Sequence, residues 1–195
     1  FLLAVGEKVN YPSQLKLFKI NDLPTNEFHY HSLVEIKNSD NTFPISSVSV
    51  SNELNCIVVG FVNGKILLIK GDLSRDRGSQ QRILYEDSTG DPITSLFLNS
   101  DASSCFATTT SRIMMFNLMR KSKSIPEQVL SSKEGVALNC ASFSKFTNEY
   151  ICCMNDCIQF YHENGERHDI PIKISNPKKL MPINKTEILI IFEEE

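Results

Sequence analysis

The chain has 195 residues, 41% of them hydrophobic and 22% charged, enough for one sizeable core and too apolar for wholesale disorder. Its 20 Lys and Arg against 23 Asp and Glu leave a net charge of -3, so no long-range attraction favours phosphate backbones and nucleic-acid binding is disfavoured. No apolar run approaches the roughly 20 residues needed to span a bilayer, and the start FLLAVGEKVNY has neither an initiating Met nor a signal-peptide layout, so any membrane association is expected to be peripheral.

In chain order, Phe1 to Val5 and Leu15 to Ile20 read as the middle strands of a first sheet, with FHYHSLVEI as an outer strand. From Pro44 the sequence repeats itself. PISSVSVSNELNCIVVGFVNGKILLI from Pro44, PITSLFLNSDASSCFATTTSRIMMF from Pro92 and ALNCASFSKFTNEYICCMNDCIQFY from Ala137 share one unit. Each has a short alternating strand (Val48 and Val50; Leu96 and Leu98; Ala141 and Phe143) and a polar turn. A second apolar strand, a tight turn at Asn63-Gly64, Thr110-Ser111 or Asn155-Asp156, and a third strand follow. Asn63-Gly64 between VVGFV and KILLI predicts a two-residue type I′ hairpin, in which both residues take φ > 0. The copies recur every ~45 to 48 residues, the period of four-stranded propeller blades, which favours a propeller over a sandwich or barrel.

The expected architecture is therefore all-β. It is a partial WD40-like β-propeller of four to five blades or part-blades, repeating near 44–91, 92–136 and 137–176, with part-blades at 1–43 and 177–195. Lys185 to Phe192 supply a strand of the last. A closed propeller needs about four to eight complete blades, so the chain reads as a fragment of one N-terminal propeller domain.

Nothing in the sequence nominates a nucleophile with a base, and the chain reads as a non-enzyme without cofactor. Glu86-Asp87 and Glu193-Glu194-Glu195 are adjacent, so their side chains alternate faces and cannot act as a general acid and base. Glycines 60, 64, 71 and 78 punctuate turns rather than cradle phosphate. His29, His31, His162 and His168 read as solvated surface histidines. Six cysteines lie largely in strand-like apolar runs and read as reduced and buried, and ICCMNDC lacks a second Cys/His pair at metal-ligand spacing, so no metal is expected. Asn184-Lys185-Thr186 matches a glycosylation sequon, a short pattern that chance supplies.

Two charged segments stand out. Gly71 to Arg82 holds Asp72, Arg75, Asp76, Arg77 and Arg82, opposite charges that almost cancel and so suit an internally paired loop. An arginine fork on Asp72 or Asp76, with Gly78 in a left-handed turn, would pin the connection. Arginines projecting outward would instead hold a partner's carboxylates. The second segment is the basic tip Arg120, Lys121 and Lys123, read as solvated or as meeting phosphoinositide headgroups.

From Tyr30 onward the chain resembles the vacuolar protein sorting protein 11 family of fungi and animals. The resemblance is densest in NTFPISSVSVSNELNCIVVGFVNGKILLIKGDLSRDRGSQQRILYED and returns in DPITSLFL, TTTSRI and NEYICC; it reads as fungal. The family resemblance implies an N-terminal seven-bladed propeller, an α-solenoid and a C-terminal RING domain, of which only part of the propeller is present. It further implies a class C core subunit of the HOPS and CORVET tethering complexes. Such a subunit would act peripherally on the cytosolic face of late endosomes and vacuoles, with other class C subunits as partners and Rab GTPases and SNAREs met through the complex. A direct phosphoinositide-binding module is the alternative.

Overall fold

A computed structural model describes residues 2–6, 14–20, 28–36, 43–51, 55–72, 79–86, 88–120, 128–131, 140–154, 157–172 and 177–192. These form seventeen strands and no helix. The first three, β1 (Leu2–Gly6), β2 (Gln14–Ile20) and β3 (Phe28–Glu35), make an antiparallel three-stranded sheet. Three four-stranded meanders follow. Sheet two is β4 (Ile45–Ser51), β5 (Cys56–Phe61), β6 (Lys65–Gly71) and β7 (Ser79–Glu86). Sheet three is β8 (Ser95–Leu98), β9 (Ser104–Thr108), β10 (Arg112–Asn117) and β11 (Gln128–Ser131). Sheet four is β12 (Cys140–Ser144), β13 (Glu149–Cys153), β14 (Cys157–Tyr161) and β15 (Arg167–Pro171). A hairpin of β16 (Pro177–Pro182) and β17 (Ile188–Phe192) closes the series.

The strands β4, β8, β12 and β16 each neighbour the next, and the core lies between sheets rather than under them. Side-chain alternation explains both. In β5 and β6, Cys56, Val58, Ile66 and Leu68 face Leu96, Ala107, Met114 and Phe116 of sheet three. The residues between them, Ile57, Val59, Leu67 and Ile69, join Leu15 and Leu17 of sheet one. Phe106, Ile113 and Met115 meet Tyr150, Cys152 and Tyr161 of sheet four. The opposite face of sheet four, Ile151, Cys153, Ile158 and Phe160, meets Leu180, Ile188 and Ile190. A sheet covered on both faces by like sheets, with first strands side by side, is a propeller blade, and the fold is a partial β-propeller.

This packing explains why ILLI, residues 66–69, is apolar without interruption: alternate residues serve different interfaces. Each fully buried Ile or Leu there contributes about 2 kcal/mol of transfer free energy, against about 1 kcal/mol for a typical hydrogen bond between sheets. Apolar contact therefore dominates blade-to-blade adhesion. Gly60 marks the closest approach, because a Cβ there would lie 2.6 Å from Ile93 Cγ2. No disulfide joins the six cysteines, of which Cys56, Cys105, Cys152 and Cys153 are buried. Desolvation pushes the Cys105 and Cys152 thiols well above their usual range, which keeps them protonated and unreactive.

The hairpin at Asn63-Gly64 differs from the expected type I′ turn. Gly60 pairs with Ile66, leaving the three residues 62–64 as the loop. Gly64 has φ 78, Asn63 stays outside the left-handed region, and Gly64 N–H donates to Phe61 O at 3.1 Å. Such a loop turns on a central pair followed by a left-handed glycine, so only the second residue of the Asn-Gly pair needs positive φ. Residues 163–165 repeat the device, with Gly165 at φ 84 and its N–H on His162 O at 2.9 Å.

Candidate functional site

Meander order sorts the connections to two ends of the sheets. Turns β5–β6 and β9–β10 lie at one end with the sheet-to-sheet connections; β4–β5, β6–β7, β8–β9, β10–β11, β12–β13 and β14–β15 lie at the other. Hydrogen bonds between sheets show that these loop ends coincide. Ser100 Oγ in the β8–β9 turn donates to Asn148 Oδ1 of the β12–β13 turn at 3.1 Å, and Ser49 Oγ of β4 accepts from Leu98 N–H of β8 at 3.0 Å.

The described residues of the charged segments singled out in the sequence, Asp72, Arg82 and Arg120, lie toward the loop end. Asp72 follows β6 directly and is partly exposed. Arg82 lies within β7, and its Nη2 donates to the Leu118 carbonyl at 3.1 Å, tying sheet two to the start of the β10–β11 connection. Arg82 thus makes a bond between sheets, whereas the expected fork of Arg75 or Arg77 on Asp72 or Asp76 involves residues outside the described ones. Arg75, Asp76, Arg77 and Gly78 lie outside the described residues, as do Lys121 and Lys123. Arg120 is exposed beside Met119, itself 70% exposed.

Between sheets three and four the loop end is knitted by polar groups. Asn99, 3% exposed, accepts the Ser104 N–H through Oδ1 at 3.0 Å. Its Nδ2 donates to Asp101, to Ser103 Oγ and across the interface to Glu163. Asn148 and Ser104 add longer bonds to the same Glu163 oxygen, both at 3.4 Å. Below this layer Tyr150 stacks on Phe106 with centroids 4.6 Å apart, and its hydroxyl shares a 2.9 Å hydrogen bond with Ser104 Oγ. Burial pushes the Tyr150 phenol well above its usual range, so it stays neutral.

The structure also assembles a cluster that no sequence motif announces. Glu149 opens β13, His162 follows β14, and His168 lies in β15. Pairing Ile151 with Phe160, and Phe160 with His168, places Glu149, His162 and His168 on one face. Glu149 is 7% exposed; its Oε1 lies 3.2 Å from His162 Nε2 and 3.7 Å from His168 Nδ1. His168 stacks on Phe160 at 4.5 Å with ring planes 4° apart. An open cleft of about 350 Å³ adjoins, lined by Thr147, Asn148, His162, Glu163, Asn164 and Glu166. Solvated histidine is thus an incomplete reading of His162 and His168, since both flank a buried carboxylate. The available signal was phase: Glu149 and His162 occupy the apolar-face positions of Ile151 and Phe160.

The turn end is closed on itself. Lys65, 5% exposed, pairs with Glu86 at 3.1 Å. Asp91 accepts from Thr110 Oγ1, from Ser111 Oγ at 2.8 Å, and faces Arg112 Nη2 at 4.0 Å. Partial desolvation raises the Asp91 carboxyl, but hydrogen bonds from Thr109, Thr110 and Ser111 with the Arg112 charge outweigh it and hold it below the usual carboxylate range.

The profile of the family described as PEP5/VPS11 N-terminal matches residues 1–195. The chain belongs to that family. A Pep5-like zinc finger protein of Schizosaccharomyces pombe is 32% identical over 123 residues, covering 63% of this chain and 13% of that protein. The vacuolar protein sorting-associated protein 11 homologs of mouse and human are each 27% identical over 121 residues, covering 60% of this chain and 12% of theirs. This PEP5/VPS11 N-terminal chain thus corresponds to a small part of the curated relatives it matches. Among solved structures, Pseudomonas aeruginosa periplasmic gluconolactonase, PpgL, superposes with a TM-score of 0.68 at 10% identity, covering 96% of this chain and 59% of that one. The Cps50 (Swd1) β-propeller domain of Myceliophteria thermophila gives 0.58 at 12% identity, over 87% of this chain and 56% of that one. Chaetomium thermophilum Raptor gives 0.60 at 11%, over 87% and 14%. At such identities the likeness carries the propeller fold alone. Among the described residues no helix is long and apolar enough to cross a membrane.

Proposed function

We propose that this chain is part of a non-enzymatic interaction scaffold of a membrane-tethering complex in endosome-to-vacuole trafficking. Its partners would be other class C subunits, with Rab GTPases and SNAREs met through the complex, on the cytosolic face of late endosomes and vacuoles. Membership of the PEP5/VPS11 N-terminal family supports the vacuolar-sorting role. The observation that supports the scaffold reading is the sorting of the connections: among the described residues the turn end pairs Lys65 with Glu86 and Asp91 with Arg112, while Arg120 and Met119 stand exposed at the loop end. Residues 44–91, 92–136 and 137–176 would act as successive rigid blades, with 1–43 and 177–195 as part-blades, supporting contacts made by loops. Asp72, Arg75, Asp76 and Arg77 are the proposed docking residues, with Arg82 holding the base of their loop.

Affinity purification of the full-length protein carrying Arg75→Glu and Arg77→Glu, against wild type, tests this with thermal unfolding alongside. Loss of a tethering-complex partner from a stably folded variant is the expected result. Unchanged partners with a lowered melting temperature would make the loop a structural clasp and overturn its docking role.

A further inference from the structure

Glu149, His162 and His168 each turn a potential metal-donor atom toward one point. One donor atom from each of Glu149, His162 and His168 lies within 4.8 Å of the others. Around a tetrahedral zinc-class ion, with metal–nitrogen and metal–oxygen lengths of about 2.0 Å, donors sit about 3.3 Å apart. The Glu149–His162 separation of 3.2 Å meets that spacing, and 3.7 Å to His168 is close to it. Both imidazoles are about half exposed, 45% and 52%, so a slight shift of His168 along the Phe160 ring closes the remaining gap without losing that contact. The carboxylate is the fixed member, buried at the head of β13.

We propose that Glu149, His162 and His168 bind one divalent transition-metal ion of the zinc class. Two imidazole nitrogens and one carboxylate oxygen suit zinc and its first-row neighbours; calcium and magnesium demand six or more oxygens. A carboxylate buried to 7% exposure beside two imidazoles is one that a divalent cation stabilises. Orientation of the donors is also provided for. His168 lies flat on Phe160, and the His162 N–H is held by Glu166 O at 2.9 Å, which fixes the backbone beside that ring. The fourth coordination position opens toward the neighbouring cleft and takes water. Metal there joins β13, the β14–β15 loop and β15, and so stabilises the loop end of sheet four by linkage. The inference does not depend on the tethering role.

Residue-resolved modification of the full-length protein by diethyl pyrocarbonate tests it, first after chelation and then with Zn²⁺ alone. Zinc is expected to slow carbethoxylation of both His162 and His168 about tenfold once the site is nine-tenths occupied. Peptide mapping separates these residues from zinc ligands elsewhere in the longer protein. Glu149→Gln keeps the shape but weakens the donor and is expected to remove that protection at the same zinc concentration, with unfolding temperature recorded as a control. Equal rates with and without zinc in wild type overturn the proposal, and that outcome is readable even if the variant does not fold. Protection that persists undiminished in a folded Glu149→Gln variant overturns it as well.

Discussion

The two ends of the sheets solve the same problem differently. At the turn end, charges meet nearby strands and turns: Lys65 meets Glu86 on the neighbouring strand, Asp91 meets Thr110, Ser111 and Arg112 at the β9–β10 turn, and one cross-sheet bond runs from Arg112 to Tyr85 at 3.4 Å. At the loop end, polar groups reach between sheets, Arg82 to Leu118, Ser100 to Asn148 and Asn99 to Glu163. Bonds along one sheet and its connection stiffen that sheet, whereas repeated bonds between sheets set the spacing of neighbouring blades. The loop end thus holds its neighbouring sheets in register.

The most disruptive way to break this contrast is to empty the interface that both ends share. Phe106, fully buried, stacked on Tyr150 and tilted against Tyr161, is expected to cost about 3 to 5 kcal/mol as Phe106→Ala. Denaturant unfolding should then show sheets three and four weakened together. A loss below about 1 kcal/mol would show that the interface collapses around the gap.

Asn99→Ala comes next and acts at the loop end alone. It leaves the Ser104 N–H without its acceptor and removes the cross-sheet bond to Glu163, for an expected cost of about 1 to 3 kcal/mol. Amide exchange should accelerate around Ser104 and Asn148 while the residues near Asp91 keep their protection. Equal acceleration at both ends would erase the distinction drawn here.

Asp91→Asn is expected to have the smallest effect, confined to the turn end. A carboxyl whose folded pKa is depressed stabilises above its unfolded value, about 3.9, and loses that contribution as pH falls through the folded value. The wild type should therefore melt slightly above Asp91→Asn at neutral pH, and the gap should close on acidification below about pH 4. A gap independent of pH would assign the effect to hydrogen-bond geometry rather than charge.

Much of the propeller was legible because period-2 alternation and turn residues are local signals. Val48 and Val50, or Leu96 and Leu98, announce their strands, and the recurrence of the unit announces blades. The form of the Asn63-Gly64 turn was not legible, since the two-residue and three-residue readings differ only in whether Val62 ends the strand or begins the loop, which pairing partners decide. The Glu149, His162 and His168 cluster needs the registers of three strands at once. Arg82 looked like a loop residue, yet its bond is to a carbonyl 36 positions away. Charge pattern marked it as special without indicating which partner it would find.

The double-sided burial of β5 and β6 also bears on how the chain is made. Ile57, Val59, Leu67 and Ile69 can be covered as soon as sheet two forms beside Leu15 and Leu17. Val58, Ile66 and Leu68 must wait for Leu96, Met114 and Phe116. On the ribosome, where synthesis runs N-terminus first, sheet two stays half naked until the chain has grown from Glu86 past Phe116, about thirty further residues. Through that interval its bare face is a sticky nascent surface, and the pace of elongation and the reach of chaperones decide whether the next blade or another polypeptide covers it first.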